Sequence, residues 1–271
     1  MAMDTVTTLA ADATELADVF LSPPERLRLA SLPDVRRQAQ FRAGRLLMRR
    51  LLAHVHGGDP LTDWPLSAAV DAPPAFLGEA FAQVVSLQWH LSISHAGGYV
   101  ACAVSASPVG IDIEAPRPGR DVLALAESLC NATEVALLRA LPLDERESCF
   151  LQLWTLKEAT LKRGSGRQDG AALRRLALRE IGVEGLANGA AVSAASAGAT
   201  KKDGTSASPG LPSDRLQVRS GAWTWQGREL TLAVVAEAAS AEPLWALPPP
   251  AFILRNARAW TVDTANAGRR P

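Results

Sequence analysis

Hydrophobic positions change period repeatedly along this chain, and each change marks an element. Residues 13–31 carry a weak helical pattern in which Pro23-Pro24 starts a new segment. A stronger helix is predicted over 34–56. There Val35, Ala39, Leu46, Met48 and Leu52 fall near one stripe, and Gly57-Gly58 stops it. Residues 57–80, punctuated by Gly and Pro, read as loop. The period then drops to two. Leu91 and Ile93 alternate with Ser92 and Ser94, the run 99–105 follows Gly97-Gly98, and the run 109–114 follows Pro108. Three such runs with short turns predict an antiparallel meander. Helical spacing returns over 121–140, with a break where Asn131 or Thr133 can cap a new start, and over 144–163, ended by Gly164 and Gly166. Strands are predicted at 173–181, 215–226 and 229–237.

This order repeats itself: helix then strands, and again helices then strands. It predicts an α+β fold of two similar halves, each a helix packed on a small antiparallel sheet. The halves are placed at 1–112 and 113–241, with a tail at 242–271. Residues 187–213 stand apart, since 21 of these 27 residues are Ala, Gly, Ser, Thr or Pro. They read as a flexible insertion in the second half. The tail is Pro-rich yet carries Trp245, Phe252, Ile253, Leu254 and Trp260, so part of it is expected to pack back on the body.

Composition narrows the function classes. The chain has 271 residues, with 28 Lys+Arg against 28 Asp+Glu. Its apolar fraction of 48% supports a real core and excludes a wholly disordered protein. Zero net charge argues against nucleic acid or a membrane surface as the partner. The acidic N-terminus has no basic segment followed by an apolar run, so no leader is expected. The stretch 89–111 lacks charge but is broken by His, Gly, Ser and Pro, which suits short strands rather than a membrane helix. Cys102, Cys130 and Cys149 are sparse and odd in number, as expected of reduced thiols in a cytoplasm.

Four constellations could carry chemistry. In Gly110-Ile111-Asp112-Ile113-Glu114 a strand would point both acids to one face and both isoleucines to the other. Such a pair either shares a hard cation such as Mg²⁺ or lies solvated at a strand end. In the stretch 154–162, Trp154, Glu158 and Lys162 are four apart and share a helix stripe, which is also the spacing of an ordinary surface Glu–Lys pair. Here the basic residues are informative. The chain has 24 Arg and only 4 Lys, yet Lys157 and Lys162 lie within six residues. A compact ammonium is not equivalent to a guanidinium fork, so these positions read as wanting Lys. In the third, Ser92-Ile93-Ser94-His95 followed by Gly97-Gly98 could hold a phosphate through hydroxyls, imidazole and close backbone approach, or form a plain polar turn. In the fourth, residues 26–50 hold eight Arg and one acid, Asp34, which suits a polyanionic ligand or an acidic partner better than a mixed-sign solvated face.

Taken in order, Arg36 with Ala43-Gly44-Arg45, then Ser92-Ile93-Ser94-His95, then Gly110-Ile111-Asp112-Ile113-Glu114, then 154–162 resemble the 4′-phosphopantetheinyl transferases of the Sfp type. The match runs through residues 34–170. The resemblance implies a pseudodimer fold and an enzyme that moves the phosphopantetheine arm of coenzyme A onto a serine of an acyl or peptidyl carrier protein, releasing 3′,5′-ADP. It implies that Asp112, Glu114 and Glu158 hold Mg²⁺, that Glu158 and Lys162 are catalytic, and that Arg36, Arg45, Ser94, His95 and Lys162 bind coenzyme A. It also implies a cytoplasmic monomer. The chain departs from the pattern where relatives commonly carry Gly-Lys-Pro before the Ser-His block. Here stands Asp71-Ala72-Pro73-Pro74, so that coenzyme A contact is either missing or supplied by an Arg. The alternative is a degenerate module that binds coenzyme A or a carrier protein without chemistry.

Overall fold

The computed structural model describes residues 1–70, 72–77, 89–164, 170–181, 216–225, 228–237, 253–255 and 259–263. Strand β1 (Ala2–Thr5) leads into helices α1 (Val6–Glu15), α2 (Ala17–Phe20), α3 (Pro23–Ala30) and α4 (Val35–His56). Strands β2 (His90–Ala96), β3 (Tyr99–Ser105) and β4 (Gly110–Glu114) follow. Helices α5 (Val122–Leu129), α6 (Ala132–Ala140), α7 (Leu143–Arg163) and α8 (Gly170–Arg175) come next. The chain then supplies β5 (Ala177–Ile181), β6 (Leu216–Trp225), β7 (Arg228–Glu237), β8 (Ile253–Arg255) and β9 (Ala259–Asp263).

Local chemistry sets the helix starts. Ser22 caps α3 and Pro23-Pro24 occupy its first turn, where missing N–H groups cost nothing. Glu25 closes a capping box by accepting from the Ser22 backbone N–H at 2.8 Å. Asp34 caps α4 through the Arg37 N–H at 2.7 Å. Asn131 and Glu134 form a second capping box at α6, so the predicted break in the 121–140 helix is real and Asn131 is its cap. A strand at 2–5 and a helix starting at Val6 were not expected from the weak pattern over 13–31. Val35, expected on the apolar stripe of α4, is 77% exposed. The buried side of that helix is broader and includes Gln40, Ala43, Gly44, Arg45, Leu47 and Arg49, because α1 and α3 cover one flank and β3 the other.

The strands form an antiparallel α+β architecture with sheet orders β1-β3-β2, β4-β7-β6-β8 and β5-β9. The expected meander is only half present. β2 and β3 pair as a hairpin, but β4 leaves that sheet and pairs with β7, with Asp112 opposite Ala233. Burial explains the switch. Ile111 and Ile113 sit in an apolar cluster with Tyr99, Ala101 and Ala103 of β3 and with Leu230 and Leu232 of β7. That cluster draws on both sheets, so β4 packs its isoleucines against β3 side chains while pairing with β7. The predicted strand at 173–181 begins as helix α8 and becomes β5 only at Ala177. Two tail segments do return to the body: β8 pairs with β6, and β9 with β5. Residues 187–213, Trp245 and Phe252 lie outside the described residues. Among those described, no helix is long and apolar enough to cross a membrane.

Candidate active site

The site is built where β4 meets α7 and β2. Gly110 decides how close α7 can come. A Cβ at that position would lie 1.8 Å from the Ala159 carbonyl oxygen, so only Gly lets the helix backbone rest on the strand. Beyond that contact, Asp112 and the α7 stripe of Trp154, Glu158 and Lys162 face each other. Lys162 Nζ reaches Asp112 Oδ1 at 2.6 Å and the Ser94 hydroxyl at 3.0 Å. Ser94 donates to the same Asp112 oxygen at 2.6 Å. Residues 18, 50 and 68 positions apart in sequence thus share one cluster.

The serines of β2 also join the sheets. Ser92 Oγ accepts from the Ile111 N–H at 3.0 Å, and Ser94 Oγ accepts from the Ile113 N–H at 3.3 Å. These are the β4 donors that face away from β7, and two hydroxyls stand where a neighbouring strand's carbonyls would otherwise be. Ser94 is therefore buried and fully engaged, as acceptor from Ile113 and Lys162 and as donor to Asp112. His95, next along, is exposed at the strand end. Its pKa is lowered by desolvation first, then by the positive charges of Lys162 and Arg37.

Three carboxylates beside the cluster, Asp112, Glu114 and Glu158, act on one another electrostatically. Burial pushes Glu114 up to about 7, Asp112 adds to this, Arg120 and Arg117 pull it back, and Glu158 pushes it up further. Glu158 is raised by burial first and by Asp112, against the pull of Lys162 and of the Trp154 indole, whose N–H donates to Glu158 Oε1 at 3.1 Å. Asp112 Oδ2 and Glu114 Oε2 are buried with no hydrogen-bond partner. Among the described residues, no three His, Cys, Asp or Glu side chains are gathered closely enough to hold a metal ion. The donor set still fits a hard cation, because it is all oxygen and two of its buried oxygens lack a donor. Asp112 and Glu114 could hold such an ion from β4, and Glu158 from α7.

The Arg positions divide differently from expectation. Arg36 is exposed on the first turn of α4. Arg45 is turned inward: it donates to the Ser67 carbonyl at 3.0 Å, lies 3.5 Å from Glu25, and covers the Phe41 ring. Arg37 is the α4 cation whose charge acts on His95. Lys157, singled out with Lys162, is 1% exposed on another face of α7. It pairs with Glu134 Oε2 at 2.5 Å and donates to the Leu173 carbonyl at 2.9 Å. It is a structural tie and not part of the cluster. Sequence reasoning missed Arg37, Arg120, Glu25 and Glu134. For the two glutamates a signal existed, since each stands three residues after a capping Ser or Asn.

Comparison with known proteins matches the stretch of chain that carries β4 and α7. Residues 108–191 match the family model of the 4′-phosphopantetheinyl transferase superfamily. A 4′-phosphopantetheinyl transferase of Bacillus subtilis is 31% identical over 119 residues, covering 44% of this chain and 49% of that protein. The 4′-phosphopantetheinyl transferase HetI of Nostoc sp. is 32% identical over 160 residues, 59% of this chain and 60% of its own length. Sfp of Bacillus subtilis strain 168 is 40% identical over 73 residues, 27% of this chain and 32% of that protein. The chain thus spans between a third and three-fifths of these relatives. The matched segment contains β4 and α7, and over it this chain is similar to the 4′-phosphopantetheinyl transferase superfamily, Sfp-type members included.

Proposed function

We propose that this protein transfers the 4′-phosphopantetheine arm of coenzyme A to a serine of an acyl or peptidyl carrier protein, with Mg²⁺, and releases 3′,5′-ADP. The carrying observation is the cluster of Asp112, Ser94 and Lys162, with Glu114 and Glu158 beside it, assembled from three separate segments. It combines oxygen donors for a hard cation with an ammonium for phosphate. Bound between Asp112, Glu114 and Glu158, Mg²⁺ would neutralise the pyrophosphate and stabilise the departing phosphate.

The chain's own residues supply the rest. Lys162, held by Asp112 and Ser94, is positioned to donate to a phosphate oxygen as charge develops there. His95 and Arg37 offer further donors for the anionic nucleotide end, and Arg36 adds long-range attraction. Arg45 acts at a distance, by fixing α4 beneath them. In the transfer, the serine Oγ bonds to the phosphorus that carries the pantetheine arm. The bond from that phosphorus to the bridging oxygen breaks, and 3′,5′-ADP leaves with the electron pair. The serine proton goes to Glu158, directly or through a water that Glu158 orients. Trp154 fixes the Glu158 carboxylate by donating to Oε1 at 3.1 Å.

A pseudodimer of residues 1–112 and 113–241 is supported by the repeat of a long helix on an antiparallel sheet, and a cytoplasmic monomer is the matching expectation. A second reading, a binding module without chemistry, is favoured by one observation: Lys162 and Ser94 both already engage Asp112 Oδ1, which leaves only Oδ2 of that carboxylate for a cation. Incubation with coenzyme A, Mg²⁺ and a panel of apo carrier proteins separates the two. Transfer adds the mass of the phosphopantetheine arm to a carrier serine. Coenzyme A binding without any mass gain across the panel would favour the binding module.

A further inference from the structure

Arg120 lies in the loop between β4 and α5, outside every motif the sequence singled out. Gly119, at φ +76° with open space around it, turns the chain so that Arg120 folds back over the site. Its side chain is only 7% exposed. One edge faces Glu114, with Nη2 at 3.9 Å from Oε2, too long for a hydrogen bond. Its plane covers the Trp154 ring at 5.3 Å. Nη1 is buried and has no hydrogen-bond partner. A buried guanidinium donor without an acceptor is unfavourable, and its natural partner is an anionic oxygen.

The unmatched atoms of this corner are complementary. Asp112 Oδ2 and Glu114 Oε2 lack a donor, while Arg120 Nη1 lacks an acceptor. A cation chelated by a diphosphate satisfies both at once, with the metal on the carboxylates and a phosphate oxygen on the guanidinium. We infer that Arg120 is a binding residue for a magnesium-chelated diphosphate, held in place by Trp154 and Glu114. This rests on the proposed coenzyme A reading for the source of the diphosphate, but the chemistry needs only the diphosphate itself. Arg120 also stands where a fixed positive charge would repel a bare divalent cation. It therefore favours the metal arriving with its anion over the metal alone.

Titration calorimetry, with Trp fluorescence as a second readout, tests this on the full chain. The probes are Mg²⁺ alone, inorganic pyrophosphate with Mg²⁺, and coenzyme A with Mg²⁺. Arg120→Met keeps the aliphatic cover on Trp154 and removes the charge, and Arg120→Lys keeps the charge and removes the fork. The expected result is a split. Both variants bind magnesium pyrophosphate and magnesium coenzyme A at least tenfold more weakly than the wild type, while Arg120→Met binds Mg²⁺ alone as tightly or more tightly. Equal weakening of all three probes would make Arg120 a structural prop and overturn the inference. So would unchanged pyrophosphate binding, or a loss confined to coenzyme A. If Arg120→Met does not fold, Arg120→Lys decides by the same criterion on the diphosphate probes. Arg120-dependent pyrophosphate binding in a protein that labels no carrier would refute the transferase reading alone and leave this one standing.

Discussion

Helices α4 and α7 invite comparison, because they are the two longest helices among the described residues and each contains a fully buried cation. Arg49 of α4 makes a two-pronged pair with Glu25 at 3.0 and 2.6 Å. Lys157 of α7 pairs with Glu134 at 2.5 Å. In both cases the acid belongs to the capping box of a shorter helix, with Ser22 in one half and Asn131 in the other. The same acid therefore starts one helix and ties down another. Glu134 adds a third function by accepting from the Leu178 N–H at 3.0 Å, which anchors β5. The two helices differ in their other charged residues. α4 uses Arg45 inward as well, whereas α7 presents Glu158 and Lys162 to β4. Lys157 and Lys162 are the same residue type five positions apart, and the helix turn alone separates a buried tie from a reactive cation.

The comparison can be broken most severely at the ties. Lys157→Met and Arg49→Met each leave a buried glutamate without its partner, so each should lose about 3–5 kcal/mol of stability in urea melts. Comparable losses in the two halves would confirm that the ties are equivalent. A loss under 1 kcal/mol at either would show that its glutamate is satisfied without the cation.

Lys162→Ala should behave in the opposite sense. Transfer to a carrier protein falls by about 10²–10³-fold, as for loss of a transition-state donor. Its modest loss of thermal stability should be recovered with Mg²⁺, which replaces the lost charge beside Asp112. A Lys162→Ala protein that melts like Lys157→Met and ignores Mg²⁺ would erase the distinction between the two lysines.

The smallest effect is a pH dependence confined to the α7 side. Glu114, pushed up to about 7 mainly by burial, binds its proton more tightly folded than unfolded. Its contribution to stability is complete below the unfolded carboxylate pKa and is lost as pH rises through about 7. In EDTA, the protein should therefore lose stability from pH 5 to 8, and Glu114→Gln should flatten that slope. Mg²⁺ competes with the same proton, so its affinity should weaken by about tenfold per pH unit below 7. A Mg²⁺ affinity independent of pH between 5 and 8 would remove Glu114 from the metal set.

Much of the site was legible because its chemistry is local. The alternation in Ile111-Asp112-Ile113-Glu114 fixed which side chains face the core, and the four-residue spacing of Trp154, Glu158 and Lys162 fixed their common stripe. Caps were legible for the same reason: Asn131 and Ser22 act within three residues of themselves. The meander failed because pairing is a long-range choice. β4 takes as its pairing partner β7, more than a hundred residues later, while its isoleucines share one cluster with both β3 and β7. That Arg45 turns inward was not legible, because basic residues along α4 carry no mark of direction, and its neighbour Glu25 stands on another helix.

The sequence by itself determined most of the longer elements, the acid pair on β4, the stripe on α7 and the preference for Lys at two positions of that helix. These follow from periods of two and 3.6 and from the spacing of caps. Only the tertiary structure decided which lysine is buried, which serine oxygen holds Asp112, and that Arg120 closes over the carboxylates. Each of those depends on what a neighbouring element brings within 3 or 4 Å, and a linear pattern holds no information on charges that meet across fifty residues of chain.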